Sequence, residues 1–323
     1  MSILSSAMKI RVEDEASRIS EWIKNYIFHR FKRRGAVIGV SGGIDSATVL
    51  ALCVRALGKG KVIALALPEK DSSPDSLDLA TEISEKFGVK LILSDIFPAL
   101  KALGCYERLN DSIREIYPDY DEKQDKVKLV LPDNLLDKPG LNVFSLTLIR
   151  PGQLEKNKIL SPKAYLGIVA ASNMKQRTRM LSLYYHAEKR NYAVIGTANK
   201  NEHDQGFFVK YGDGGSDLQP IRHLYKSQVF QLARYLGVPE GIIERVPTTD
   251  TYSAGSTQEE FYFRVPFELL DKIWMGMNDG MSADEIAYDM GLTPEQVLRV
   301  TKDLVQKKRT TEYLRTAPKS LLD

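Results

Sequence analysis

Short, continuous apolar runs alternate with amphipathic segments along the first part of the chain. The apolar runs predict buried β-strands at 36–40, 62–67 and 89–93. Helical spacing of apolar residues predicts helices at about 10–31, 45–57 and 76–87. Apolar strands that alternate with helices are typical of a parallel sheet covered on both faces. We therefore expect an α/β fold with a doubly wound, mostly parallel sheet.

The pattern is broken once and then resumes. Between 95 and 162 the regularity fades, and prolines, Asn-Asp pairs and a charged stretch at 119–128 predict a mobile or inserted region. Further on, we expect a strand at 192–196, irregular segments at 202–215 and 247–263, and helices at 170–189, 227–236, 267–277 and from 282 onward. This organisation predicts a single domain over 1–323, with a long insertion at about 96–165 and extra C-terminal helices at about 266–323.

Bulk properties narrow the class of protein without naming an activity. The chain has 323 residues, 27% of them charged and 43% hydrophobic, which is ordinary for a soluble globular protein. A net charge of +3 is too small to imply a nucleic-acid partner, and two cysteines exclude a disulfide framework. The N-terminus lacks a signal-peptide pattern, and no apolar run is long enough to cross a bilayer. We expect a cytoplasmic protein.

The first predicted strand ends in a loop with the chemistry of an anion site. Its sequence is Ser41-Gly42-Gly43-Ile44-Asp45-Ser46. Glycines allow close backbone approach, and the first amides of the following helix have no intrahelical partner, so they can bind phosphate oxygens. A carboxylate beside an anion makes sense when a cation bridges the two, and Mg²⁺ is the usual choice. The loop therefore predicts a nucleotide and a metal together.

This loop is not a Walker A sequence, because no lysine follows the glycines. It resembles the SGGxDS loop of the N-type ATP pyrophosphatases (the PP-loop superfamily), which split ATP into AMP and pyrophosphate.

A second group of motifs follows the strand predicted at 192–196. Gly196-Thr197 is followed by Glu202, and residues 206–217 read GFFVKYGDGGSD. These residues lie beyond a carboxyl strand end, where open α/β sheets bind ligands. Together with the first loop, they resemble the ammonia-dependent NAD synthetase (NAD synthase) family over nearly the whole chain.

The resemblance implies a set of site residues. It implies Mg²⁺ ligands at Asp45 and Glu202, and contacts with deamido-NAD at Arg177, Lys210 and Asp217. It implies ATP contacts at Gly39, Val40, Ser41, Gly42, Gly43, Ile44, Asp45, Ser46, Thr197, Lys226 and Thr248. Lys226 is expected to offset phosphate charge, and no side chain is expected to act as a nucleophile.

The resemblance also implies an activity. An ATP-dependent amide ligase would adenylate a carboxylate, deamido-NAD first among the candidates, and transfer ammonia to give NAD, AMP and pyrophosphate. The expected partners are ATP, ammonia and the carboxylate acceptor, in a homodimer, without a membrane or nucleic acid. The chain begins one helix before the phosphate loop, so we expect free ammonia as the nitrogen donor unless a separate glutaminase supplies it.

Departures from the family pattern keep other functions open. Tyr262-Phe263-Arg264 stands where the family commonly has Glu-Leu-Gly, and Tyr313-Leu314 stands where it usually has His-Lys. A paralogue that amidates a different carboxylate is therefore one alternative. A tRNA-thiolating enzyme is a second, although the chain has no CxxC pair. A nucleic-acid-binding protein is a third, because 282–297 reads like a helix-turn-helix with basic residues at 307–309.

Overall fold

A computed structural model describes residues 2–131, 134–138, 140, 142–249 and 251–321. The β-strands are β1 (Ala36–Gly39), β2 (Val62–Ala66), β3 (Lys90–Leu93), β4 (Lys126–Val130), β5 (Ser145–Ile149), β6 (Lys156–Ile159), β7 (Ala193–Ile195), β8 (Thr248–Thr249) and β9 (Ser256–Thr257). The α-helices are α1 (Ile3–Ala7), α2 (Val12–Asn25), α3 (Ile44–Leu57), α4 (Pro74–Lys86), α5 (Phe97–Ala102), α6 (Cys105–Arg114), α7 (Pro162–Glu188), α8 (Lys200–Gln205), α9 (Lys226–Leu236), α10 (Glu240–Ile243), α11 (Phe267–Asn278), α12 (Ala283–Met290), α13 (Pro294–Thr310) and α14 (Glu312–Arg315). Single π-helical turns lie at Tyr26–Arg30 and Glu259–Phe263.

The central sheet is parallel and has the strand order β3-β2-β1-β7. Ala36 is level with Val62 on one side and with Ala193 on the other, so the strands start together. Apolar residues of α2, α3, α4 and α9 cover one face, and residues of α5, α6 and α7 cover the other. Because both faces are covered there, β1, β2 and β7 are apolar throughout, whereas the edge strand β3 is partly exposed and begins with Lys90. The expected α/β class with a doubly wound parallel sheet is confirmed.

The described residues between 95 and 162 form helices and strands where the sequence predicted a mobile or inserted region, so the fading regularity there does not mean a lack of structure. This segment contains α5, α6 and an antiparallel sheet of order β4-β5-β6, packed on the first half of α7. Its apolar cluster includes Leu129, Leu146 and Ile168. The hydroxyl of Tyr117 donates to the carbonyls of Leu146 (2.9 Å) and Lys156 (3.0 Å). The sequence misled because these strands alternate polar and apolar residues, and the charged stretch at 119–128 runs through turns into β4.

Three smaller expectations also needed correction. The helix expected at 170–189 begins at Pro162, because Ser161 caps it by accepting from the amide of Ala164 (3.2 Å). The irregular segment expected at 202–215 starts inside helix α8. The segment expected to be irregular at 247–263 contains the short β8-β9 pair and a π-helical turn.

The C-terminal helices form a separate apolar cluster with α1. Trp274, Ile286 and Val297 are buried in it. Lys307, one of the basic residues beside the helix-turn-helix pattern, is buried and pairs with Asp303 at 2.7 Å. The pair α12 and α13 therefore packs as part of this cluster.

Candidate active site

The loop between β1 and α3 is shaped by its glycines and serines. Gly42 has a φ of +74°, and a Cβ there would lie 2.8 Å from the Cβ of Leu79, so only glycine fits without strain. The hydroxyl of Ser46 donates to the carbonyl of Gly43 at 2.9 Å and accepts from the amide of Ser41 at 3.3 Å. This bonding curls the loop in front of the N-terminus of α3. The free amides of that helix end can bind an anion.

Asp45 joins three elements at the carboxyl end of the sheet. It lies in the first turn of α3, and its side chain is 14% exposed. One carboxylate oxygen accepts from the side-chain nitrogen Nδ2 of Asn199 at 3.0 Å, and the other pairs with the Lys226 ammonium. Lys226 begins α9 and is almost fully buried. The cation and the carboxylate are thus both fixed beside the loop.

Glu202 lies near Asp45 because a capping box orients α8. The side-chain oxygen of Asn199 accepts from the backbone amide of Glu202 at 3.0 Å, and the Glu202 carboxylate accepts from the backbone amide of Asn199 at 3.1 Å. Desolvation, followed by the negative charge of Asp45, raises the pKa of Glu202 above its ordinary value. Two carboxylates in this environment favour a cation between them.

A cavity of about 620 Å³ lies over these groups at the carboxyl ends of β1, β2 and β7. Most of the expected residues line it: Gly39, Val40, Ser41, Gly43, Ile44, Asp45, Ser46, Thr197, Glu202, Lys226, Thr248, Arg177 and Lys210. The fold thus assembles residues from positions 39 to 248 around one space, as expected for ligands in an open α/β sheet.

Two expected residues do not line this cavity. Gly42 serves the turn described above. Asp217 accepts from the Tyr184 hydroxyl at 3.1 Å and from the Val194 amide at 2.8 Å, so it secures the loop after β7 to the sheet. Its expected contact with the acceptor therefore stays a prediction.

Lys210 is held at the rim of the cavity by the C-terminal segment. Its ammonium donates to the carbonyls of Tyr313 (3.0 Å) and Thr316 (2.8 Å), and it lies 4.2 Å from the centre of the Tyr313 ring. Leu314 lines the same cavity, and Arg177 Nε donates to the Lys210 carbonyl at 3.3 Å. The two positions that depart from the family pattern, Tyr313 and Leu314, thus lie beside the residues expected to bind the acceptor.

The other residues that depart from the family pattern, at 262–264, pack against neighbouring segments and form part of the cavity wall. The Tyr262 hydroxyl donates to the Gln205 carbonyl at 2.7 Å, and Tyr262 lines the cavity. Arg264 has a φ of +63° and donates to the Asn142 side chain at 3.0 Å. A glycine, the residue common in the family here, adopts that backbone conformation without strain.

Sequence reasoning missed a buried ionic cluster behind the cavity. The Lys175 ammonium, 1% exposed, bonds to Glu69 (3.1 Å), Asp71 (2.6 Å) and the carbonyl of Thr251 (2.8 Å). The Tyr106 hydroxyl donates to the other oxygen of Glu69 at 2.9 Å. The cluster joins α7 to the loop after β2 and to the loop before β9. A lone lysine in a polar stretch gives no signal of burial, so only the structure reveals it.

Asn199 was also missed, although its signal is in the sequence. An asparagine three residues before a glutamate is the pattern of a capping box.

The donor set suits Mg²⁺ held jointly with phosphates. Within the described residues, no group of three or more histidine, cysteine and carboxylate side chains could hold a metal on its own. Mg²⁺ commonly uses one or two carboxylates and completes its shell with water and substrate phosphates. Asp45 and Glu202 beside an anion-binding loop match that description.

Fold and site together define a nucleotide-binding α/β protein with a phosphate loop of the pyrophosphatase type. The family model described as NAD synthase matches residues 15–117 and 135–318. The chain belongs to the NAD synthase family.

Curated relatives agree over almost the full length. An NH(3)-dependent NAD(+) synthetase of Mesorhizobium japonicum is 49% identical, covering 94% of this chain and 95% of its own. The proteins of that name from Rhizobium meliloti and Thermotoga maritima are 47% and 39% identical, covering 97% and 95% of this chain and 93% and 97% of their own.

Two solved structures share the fold at low sequence identity. The NMN synthetase of Francisella tularensis is 22% identical with a TM-score of 0.66, covering 97% of this chain and 99% of its own. The NH3-dependent NAD synthetase of Campylobacter jejuni is 21% identical with a TM-score of 0.63, covering 97% of this chain and 100% of its own. At this identity, they bear on the fold alone.

Among the described residues, no helix is long and apolar enough to span a membrane.

Proposed function

We propose that this protein is an ammonia-dependent NAD synthetase, which makes NAD from deamido-NAD, ATP and ammonia. The observation that carries the proposal is the meeting of Asp45, Glu202 and Lys226 beside the Ser41–Ser46 loop, in one cavity. Near-full-length relatives that bear this name at up to 49% identity support the substrate.

The first step activates the acceptor. An oxygen of the substrate carboxylate attacks the α-phosphorus of ATP, and the bond to the bridging oxygen of pyrophosphate breaks. The loop amides and Lys226 offset the charge that builds up on the phosphates, and the rigid loop aligns them for attack. The product is an acyl-adenylate, whose leaving group is AMP.

The second step forms the amide. The nitrogen of ammonia attacks the activated carbonyl, AMP leaves with the original carboxylate oxygen, and the nitrogen loses a proton. No side-chain nucleophile is needed, because the adenylate supplies the leaving group.

Mg²⁺ is the metal that we assign to Asp45 and Glu202. Bound there with the phosphates, it would supply positive charge that neutralises the triphosphate and the departing pyrophosphate. The raised pKa of Glu202, which burial causes first and the negative charge of Asp45 second, is consistent with a site that favours a cation.

Arg177 and Lys210 are the residues that we assign to the acidic dinucleotide. Both line the cavity, and neither forms an ion pair with a carboxylate of the described residues, so both charges can meet an anionic substrate. Asp217 remains a predicted acceptor contact. The ammonia would be free or come from a separate glutaminase, and a cytoplasmic location stays a prediction.

A homodimer is the expected assembly, and α7 supports it. Leu166, Leu181 and Tyr185 are 63%, 67% and 58% exposed. At helical spacing they fall within about 100° of one another, in a stripe that also contains Arg177. A partner on this stripe would bury the apolar side chains and bring a second surface close to the acceptor end.

A different acceptor is the alternative, because Tyr262 and Leu314 change the wall of the cavity. The test compares two acids, deamido-NAD and the acid form of nicotinamide mononucleotide, with ATP, Mg²⁺ and ammonium. We expect AMP and NAD in equal amounts, and a kcat/KM for deamido-NAD at least about 10 times higher, which is about 1.4 kcal/mol of transition-state preference. AMP formation with only the mononucleotide would overturn the substrate; no AMP with either would overturn the reaction.

A further inference from the structure

The edge of the parallel sheet opposite the cavity carries a dense group of cations. The segments 28–35, 58–61, 85–90 and 188–192 lead into β1, β2, β3 and β7. They contain ten lysines and arginines and two carboxylates, a net charge of +8, whereas the whole chain carries +3. We call these four segments the basic edge. Its cations are Arg30, Lys32, Arg33, Arg34, Lys59, Lys61, Lys86, Lys90, Lys189 and Arg190.

Contacts between the segments make the basic edge one continuous surface. The Arg33 guanidinium donates to the Asn191 side chain at 2.6 Å. Lys59 lies so close to Gly88 that a Cβ there would be 3.1 Å from its Cδ. The strand starts are level, and neighbouring strands are about 4.8 Å apart, so the four segments span about 15 Å.

The charges on this surface are available to a partner. All of its cations are exposed except Arg190, which is partly buried. Within the described ranges, none of them forms an ion pair with a carboxylate.

Helix ends explain only part of this charge. The helices α3, α4 and α7, and the helical turn that ends at Arg30, all finish at this edge. Each helix C-terminus is equivalent to about −0.5 charge, so four of them offset about two cations. An excess of about six remains. It lies a full strand length from the cavity, and therefore does not serve the anionic substrates.

We propose that the basic edge binds the phosphate backbone of a double-stranded nucleic acid without reading its sequence. A duplex presents one phosphate charge per about 1.7 Å, or about nine over the 15 Å of this surface, and arginine forks match phosphate oxygens. The net charge of +3 does not reveal this surface, because the +8 of the basic edge is largely offset by the negative net charge of the rest of the chain.

Two competing partners fit this surface less well. Single strands are usually held by stacking of bases on free aromatic rings. Here Lys61 covers the Phe28 ring at 4.6 Å, and the Tyr26 and Phe31 rings pack on each other at 5.6 Å. Stable membrane anchoring takes a second signal beside a basic patch, whereas phosphate contacts alone give micromolar binding to nucleic acid.

The test measures binding of a labelled DNA duplex of about 20 base pairs, by fluorescence anisotropy at several salt concentrations. We expect a micromolar Kd at about 50 mM salt, weakened on the order of a hundredfold at about 200 mM if about four phosphates are contacted. The variant Arg34→Glu/Lys59→Glu/Lys90→Glu changes one exposed cation in each of three segments. It should lose at least about tenfold in affinity and keep its ligase activity.

A matched variant separates this edge from total charge. Lys101→Glu/Lys123→Glu/Lys126→Glu makes the same charge change at exposed lysines of the 96–165 segment and should bind nearly as the parent does. Equal weakening of both variants, or no binding by the parent protein, would overturn the proposal. So would binding to vesicles with anionic lipid but not to the duplex.

Discussion

At the residue scale, Asp45 is the group on which the site depends most. It holds the Lys226 ammonium and the Asn199 amide, and it is one of two proposed metal ligands. We expect Asp45→Asn to lower kcat/KM at least about 100-fold, because the neutral side chain would bind the metal less tightly and would no longer form the ion pair with Lys226. The measurement is AMP release, with exposed Asp78→Asn as the control. An Asp45→Asn protein with more than a tenth of the parent activity would contradict the assignment.

Asp271 gives a prediction about pH. This fully buried residue of α11 accepts from the Ser227 amide (2.8 Å) and hydroxyl (2.7 Å), and burial raises its pKa to about 6. A raised carboxyl pKa contributes stability that is full below the unfolded pKa, near 3.8, and is lost as pH rises through about 6.

The free energy of unfolding of the parent minus that of Asp271→Asn should therefore fall between about pH 4 and 6. The fall should be on the order of 3 kcal/mol, since each pH step of one is worth about 1.4 kcal/mol. Urea unfolding at several pH values measures it, with exposed Asp284→Asn on α12 as the control. A difference that rises with pH would show that the carboxyl pKa is lowered instead.

Individual residues could be read from the sequence where a local motif fixes them. The 41–46 loop and the stretch 196–202 each follow a predicted strand, and strand ends meet at one edge of the sheet. The roles of Thr197, Glu202 and Lys226 came from the resemblance to the family. The buried ion pairs of Lys175 and of Asp45 with Lys226 could not be predicted from a local motif, because the partners lie far apart in the sequence.

At the element scale, Lys175 is the point where α7 holds two loops that border the cavity. Its removal would leave the Glu69 and Asp71 carboxylates without their cation. We expect Lys175→Met to lower the free energy of unfolding by about 3 to 5 kcal/mol and to raise the KM for ATP. Exposed Lys163→Met, on the same helix, is the control. Equal stability of the two variants would contradict this role.

The elements show why the sequence did not predict the strands of the 96–165 segment but did predict those of the central sheet. Strands β1 and β2 are buried on both faces, so unbroken apolar runs identify them. Strand β6 has the sequence KNKI with every residue exposed, and the other two strands of its sheet, β4 and β5, carry lysine or threonine between apolar residues. Such a meander is stabilised by packing on α7, which a local pattern does not contain.

At the scale of the whole molecule, the apolar stripe of α7 predicts an assembly. We expect the parent protein to have twice the mass of the chain in solution, and Leu181→Asp to shift it towards the monomer, because a charge would be buried in the interface. Light scattering measures the mass. Leu298→Asp, at a similarly exposed leucine of α13, should stay dimeric. A monomeric parent, or a dimer insensitive to Leu181→Asp, would exclude this stripe as the interface.

The whole molecule also has two edges with different chemistry. The carboxyl edge of the sheet holds the cavity, and the amino edge holds the excess of cations. A single net charge could not reveal this division, because it averages over both.

The central claim is that the acceptor carboxylate attacks the α-phosphorus of ATP, and one isotope measurement tests it directly. Deamido-NAD labelled with oxygen-18 in its carboxylate is incubated with the enzyme, ATP, Mg²⁺ and ammonium. The oxygen-18 content of the AMP and pyrophosphate is then measured by mass spectrometry. We predict one labelled oxygen in each AMP released with NAD, and none in pyrophosphate. Unlabelled AMP formed together with NAD would contradict the account.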